Sequence, residues 1–183
     1  MNFELKVKDI SVETFILVGE LKEGKILHTL KKFIKENKDE NLSYKTHVKG
    51  HFTGFNKLNL NEDFLNFIML IKNDIKVICK NNFFVKEAWG NICNNNEEVT
   101  EHNHEGTSAF CGILYLTEGG PGTFFKDYNL TIEEKIGRYI LFHPLLYHSV
   151  KKIEKNLERI TIAFNMEKLS SWDDVTQLKL HEI

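Results

Sequence analysis

Hydrophobic positions along this chain change their period twice. Over residues 9–18 apolar and polar residues mix as in a strand. From about residue 22 to 37, Ile26, Leu27, Leu30, Phe33 and Ile34 fall at i, i+1, i+4, i+7 and i+8, the stripe of an amphipathic helix. Residues 41–56, with Gly50 and Gly54, read as an irregular extended connection. Phe64, Leu65, Ile68, Ile71, Ile75 and Ile78 then restore helical spacing and predict a second helix over about residues 61–80. Both stripes call for a flat apolar surface to pack on, not merely each other.

Past Asn82 short β-rich runs alternate with Gly and Asn breakers. Strands are predicted over residues 84–93, 108–117, 122–125, 138–142, 147–150 and 159–165, with turns at Gly119-Gly120-Pro121-Gly122 and Lys155-Asn156. So many short strands within about 80 residues suggest a small antiparallel barrel or sandwich, with two N-terminal helices on one sheet's outer face. Along 159–165, Arg159, Thr161, Ala163 and Asn165 share one face, and Ile160, Ile162 and Phe164 share the other. One of these faces is expected to pack inside the sandwich while the other is polar. No repeat or low-complexity linker divides the 183 residues, so a single domain is expected.

Composition narrows the function classes. The formal net charge of −2 offers no field to attract nucleic acid or an anionic membrane, which disfavours a dedicated nucleic-acid binder. Three cysteines, Cys79, Cys93 and Cys111, without a Cys-x-x-Cys spacing, point to a reducing compartment and away from a disulfide framework or zinc knuckle. With no apolar run of membrane-spanning length and no signal-peptide core near the start, the expected location is the cytoplasm, or the cytoplasm of a host. The cysteines are expected to be buried, with Cys93 and Cys111 near the reactive centre and prone to oxidation.

Eight histidines remain, and their placement is informative. His102 and His104 are two apart, so in extended backbone both imidazoles face one point, a common half of a mononuclear Fe, Mn, Ni, Cu or Zn site. A bland reading, two surface histidines in a polar loop, stands beside it. His148 follows the strand and turn at 138–144. If 148–165 folds as a hairpin centred between Ile153 and Glu154, His148 lies directly across from Arg159. An inward Arg159 needs an anionic partner; its fork suits a small carboxylic acid, with Thr161 as an added hydroxyl. The bland reading pairs a surface Arg159 with Glu154 or Glu158.

The series Trp89-Gly90-Asn91, His102-x-His104, Gly112 to Leu116, Gly137-x-x-x-Leu141-Phe142, Tyr147-His148 and Arg159-Ile160-Thr161-x-x-Phe164-Asn165 resembles the Fe(II)/2-oxoglutarate-dependent oxygenase superfamily. More narrowly it resembles the short oxygenases of bacteria and marine phages, over roughly residues 88–166. The resemblance implies a mainly β fold with α, a double-stranded β-helix or cupin-like jelly-roll barrel over residues 83–166. Residues 1–82 would be its buttress of helices and strands, and 167–183 a tail. It also implies a dioxygenase that uses Fe(II), 2-oxoglutarate and O2, releases succinate and CO2, and hydroxylates a small-molecule or peptide substrate.

By position, the resemblance makes His102, His104 and His148 the metal ligands, and Arg159 the 2-oxoglutarate carboxylate partner, supported by Thr161. Tyr115 and Asn91 are weaker cosubstrate candidates. One departure is plain: the family's usual first pair is His-x-Asp or His-x-Glu, and here the third position is His104. Glu101, Glu105 or Asp127 would then supply an oxygen, or His104 and Gly106 would align with the usual pair, or three imidazoles would suffice. A three-histidine cupin without 2-oxoglutarate, acting as another dioxygenase, an isomerase or a binding module, is the alternative; a metal-free barrel is the third. Residues 44–55, basic and aromatic, read either as a substrate-side loop or as an edge strand, and His143 as a structural neighbour of the site.

Overall fold

A computed structural model describes residues 13–39, 46–78, 82–154 and 156–169. Ten strands and three helices are described: β1 Ile16–Glu20, α1 Gly24–Glu36, β2 His51–Phe52, α2 Glu62–Leu70, α3 Lys72–Ile78, β3 Phe83–Cys93, β4 Val99–His102, β5 Phe110–Tyr115, β6 Thr123–Phe125, β7 Leu130–Ile132, β8 Arg138–Phe142, β9 His148–Val150 and β10 Arg159–Lys168. They form two antiparallel sheets. The major sheet runs β1-β8-β5-β10-β3-β2 and the minor sheet β4-β9-β6-β7, a jelly-roll type of β-sandwich.

The helices lie on the major sheet's outer face. Leu27, Leu30 and Ile34 of α1 and Phe64 and Phe67 of α2 share one buried core with Ile92, Leu114, Leu141, Ile160, Ile162 and Phe164. Two glycines let these layers close. A Cβ on Gly90 would stand 2.5 Å from Ile34, and one on Gly112 would stand 2.0 Å from the Phe164 ring. Asn61 caps α2, its side chain accepting from the Phe64 amide at 3.0 Å, and Glu62 and Asp63 add charge that favours a helix N-terminus.

Three expectations change here. The single helix over 61–80 is two helices, broken at Ile71; Cys79 and Lys80 lie outside the described residues. The break lets the stripe follow a twisted sheet: Ile71 and Ile75 stay buried, and Asp74 meets the Tyr139 hydroxyl. The faces of β10 are also the reverse of a polar outside and apolar inside. Ile160, Ile162 and Phe164 pack beneath the helices, while the polar set faces the space between the sheets. Finally, β4 and β7 are strands outside the expected set, the first polar in sequence and the second only three residues long.

Candidate metal centre

The minor sheet brings the histidines together. β4 pairs with β9 so that His102 stands opposite His148, after a register irregularity between Val99 and His102. His104 lies beyond the end of β4, and its amide donates to the Pro144 carbonyl at 2.8 Å on the turn leading into β9. The His102 ring centroid is 5.1 Å from that of His104 and 4.3 Å from that of His148; His104 and His148 are 5.3 Å apart. One ring nitrogen from each lies within 4.8 Å of the others.

Hydrogen bonds set the ring orientation of two of them. His102 Nδ1 is 2.8 Å from the Thr100 carbonyl and His148 Nδ1 is 3.1 Å from the Leu146 carbonyl. A carbonyl only accepts, so each Nδ1 carries the proton and each Nε2 keeps its lone pair for a ligand. Burial favours the neutral imidazole as well: it pushes His102 and His104 down to about 4, and His148 well below its ordinary value. Three neutral nitrogen donors converging on one point are a donor set that suits Fe(II) and other first-row divalent ions.

None of the candidate carboxylates joins this cluster. Glu101 is held by Lys126 at 2.8 Å, and Asp127 accepts from the Tyr147 amide at 2.9 Å. Glu105 is exposed. His143 points elsewhere, its Nδ1 accepting from the Leu145 amide at 3.3 Å and its ring meeting the edge of Phe15. From the stretch 44–55, read as a substrate-side loop or an edge strand, comes a histidine not expected at the cluster: His47, exposed, stacks on His102 with centroids 4.3 Å apart and planes 3° from parallel. It belongs to the stretch 47–49 that hydrogen-bonds along β4, and Val48 lines the pocket. Of residues 44–55, Tyr44 and Lys45 lie outside the described residues, and β2 continues the edge of the major sheet.

The inner face of the major sheet supplies the opposite wall, in three cross-strand rungs. Asn91, Thr161 and Tyr115 form the first; Trp89, Ala163 and Ile113 the second; Glu87, Asn165 and Cys111 the third. Arg159 lies beyond the first rung and is 2% exposed. Its guanidinium reaches the Thr161 hydroxyl at 3.4 Å and the Thr123 hydroxyl at 3.3 Å, and sits 5.3 Å from the Tyr115 ring centroid. Tyr115 donates to Thr123 Oγ1 at 2.6 Å.

These contacts leave Arg159 incompletely satisfied. Its Nε has no partner, nor does Asn91 Oδ1. Neither surface pairing applies, since Arg159 is buried rather than at the surface, and Glu158 binds Lys35 at 2.6 Å. Glu134, buried on the loop after β7, is close enough to feel the arginine's charge, yet no carboxylate oxygen of the described residues lies within 4.0 Å of an Arg159 nitrogen. Glu134 accepts from the Thr117 hydroxyl, and burial holds its carboxyl above the usual range against the pull of Thr117 and Arg159. Glu134 and Thr123 carry no sequence signal of their own, one in a polar loop and the other in a strand of three residues. A half-satisfied buried guanidinium in the pocket that also holds the histidines fits a small carboxylate such as the distal end of 2-oxoglutarate.

The hairpin expectation fails. His148 pairs with His102 and Phe125 in the minor sheet, whereas Arg159 pairs with Cys93 in the major one. Ile153, buried and bridged to Asn95, pulls the connection across from one sheet to the other. The two residues face one cavity from opposite walls instead of standing side by side. Cys93 and Cys111 are buried and free, and Cys111 lines the pocket, but burial pushes their thiols up to about 11 and about 12. Thiols held so firmly protonated are poorly reactive, which corrects the expectation that they oxidise readily.

No family model matches the sequence, and no curated protein matches it. Solved structures do. A viral collagen prolyl hydroxylase from Paramecium bursaria Chlorella virus 1, in complex with 2-oxoglutarate, superposes with a TM-score of 0.64 at 13% identity, covering 85% of this chain and 96% of that one. A Pseudomonas putida prolyl-4-hydroxylase gives 0.63 at 13% identity, over 85% and 93%. HygX from Streptomyces hygroscopicus, with nickel and 2-oxoglutarate bound, gives 0.63 at 9% identity, over 84% and 82%. The fold is therefore that of the 2-oxoglutarate–Fe(II) oxygenases.

Proposed function

We propose that this protein is a non-haem Fe(II)- and 2-oxoglutarate-dependent dioxygenase that hydroxylates a small-molecule or peptide substrate. It would work as a single domain, a double-stranded β-helix over residues 83–166 buttressed by the preceding helices. The observation that carries the reading is Arg159: a buried, half-satisfied cation in the pocket that also holds three neutral, converging histidines. Free, buried Cys93 and Cys111 support a reducing compartment such as the cytoplasm.

When bound, Fe(II) with 2-oxoglutarate and O2 supplies the oxidation and releases succinate and CO2. The chain's tasks are positioning and exclusion of water. His102, His104 and His148 offer neutral nitrogens, two of them aimed by the Thr100 and Leu146 carbonyls. Arg159, Thr161 and Thr123 orient the distal carboxylate, and Tyr115 and Asn91 line its side. Trp89, Ile113, Ala163, Phe142 and Val150 supply apolar wall around the reacting end.

Purified protein loaded anaerobically with Mn(II) or Fe(II) tests this. The wild type should bind metal and 2-oxoglutarate. Arg159→Ala should keep the metal and weaken 2-oxoglutarate at least about tenfold, the low end for a lost charged hydrogen bond. Metal binding without any 2-oxoglutarate binding in the wild type would favour the second reading, a three-histidine cupin. That reading draws on the absence of a carboxylate from the described histidine cluster.

A further inference from the structure

We propose that the third rung of the inner wall binds a protonated amine of the substrate, a reading that rests on the proposed oxygenase function. Glu87 and Asn165 stand directly opposite each other, and the Asn165 amide nitrogen donates to Glu87 Oε2 at 3.0 Å. That bond fixes which way the amide points, because the flipped form would set oxygen against oxygen. Asn165 is 3% exposed and lines the same pocket as the histidines, and its Oδ1 is buried without a donor. Glu87 is half-buried, and no basic nitrogen of the described residues lies within 4.0 Å of its carboxyl group. Neighbouring Lys86 turns away, donating to the Thr107 carbonyl at 2.6 Å and approaching Glu167 at 3.8 Å.

The rung therefore presents an unmet amide oxygen beside a half-buried carboxylate that accepts from the Asn165 amide and that no basic nitrogen of the described residues approaches within 4.0 Å. A buried acceptor left unmet is costly, so its complement is a group rich in donors and positive. An ammonium group meets both needs, whereas a hydroxyl or amide would meet the asparagine and leave the carboxylate's charge unbalanced. The chemistry is the mirror of the other end of the wall. There a cation, Arg159, awaits an anionic cosubstrate; here, beyond the apolar rung of Trp89, Ala163 and Ile113, an anion awaits a cationic substrate. The two polar rungs are four residues apart on each strand, about 13 Å at roughly 3.3 Å per residue, so each holds a different ligand. Trp89 and Ile113 between them suit the alkyl stem that carries the amine.

The test uses full-length protein loaded with diamagnetic Zn(II) and 2-oxoglutarate, probed at neutral pH with n-butylamine, 1-butanol and butyrate. The readout is the Trp89 indole NMR resonance, identified by its loss in Trp89→Phe. n-Butylamine should shift that resonance saturably and bind at least tenfold more tightly than the alcohol or the acid. Glu87→Gln should remove that preference while binding Zn(II) and 2-oxoglutarate as the wild type does, and Glu87→Lys should turn it toward butyrate. Equal binding of amine and alcohol by the wild type, or an undiminished amine preference in Glu87→Gln, would overturn the proposal and leave the oxygenase reading standing. A wild type that takes up no Zn(II) or 2-oxoglutarate would overturn both.

Discussion

The two faces of β10 share one backbone and one register yet do opposite work. On the outer face Ile160, Ile162 and Phe164 are fully buried beneath α1 and α2, with Phe164 meeting Phe64 and Phe67 edge-on. On the inner face Arg159, Thr161 and Asn165 are buried too, but as polar groups whose partners are long, few or missing. The outer face gains from burial, while the inner face loses solvation that no protein group fully replaces. The difference teaches how this small sandwich holds a site open: apolar packing on one side of a strand sustains unsatisfied chemistry on the other.

The sharpest way to break that comparison is to remove packing from the outer face alone. Phe164→Ala should destabilise the protein by about 3–5 kcal/mol. Under folding conditions it should still bind metal and 2-oxoglutarate, as checked by denaturant unfolding alongside metal stoichiometry. An equal loss of binding in protein shown to be folded would mean that the two faces are not separable.

A smaller effect should come from acid. His102, His104 and His148 are held neutral in the folded protein, whereas the unfolded chain takes up protons on them below about 6.5. Their share of stability is therefore complete above 6.5 and is lost as pH falls toward about 4. Thermal unfolding of the metal-free protein in chelator should show a falling midpoint already between about pH 6.5 and 5, above the ordinary carboxylate range. A flat midpoint across that interval would contradict the burial assigned to the cluster.

The smallest effect concerns Glu134, whose carboxyl burial holds above the usual range. The sign follows from that direction: keeping it ionised costs stability above its ordinary value of 4.5, and the cost vanishes below it. Glu134→Gln should then raise the midpoint at pH 7.5. At pH 4 the variant and wild type should match. A lowered midpoint at pH 7.5 would mean that the attraction to Arg159 outweighs burial.

Much of the site was legible in sequence because its residues sit at short, fixed spacings. His102 and His104 are two residues apart, and Arg159, Thr161 and Asn165 alternate along one strand, so local backbone geometry nearly suffices to group them. Thr123 and Glu134 were illegible for the opposite reason, since each approaches Arg159 from a distant segment, and His47 likewise meets His102 from far along the chain. The break at Ile71 escaped the helical pattern because both halves keep the same stripe.

By itself the sequence determined the alternation of β10, the helical stripes and the family of motifs, all properties of neighbours along the chain. Only the tertiary structure decided that His148 and Arg159 face each other across a cavity rather than along a hairpin. It decided too that the polar face of β10 is the inner one, and that Glu87 meets Asn165. Sheet assignment depends on where a connection such as that through Ile153 buries its apolar residue, and that is a property of the whole sandwich.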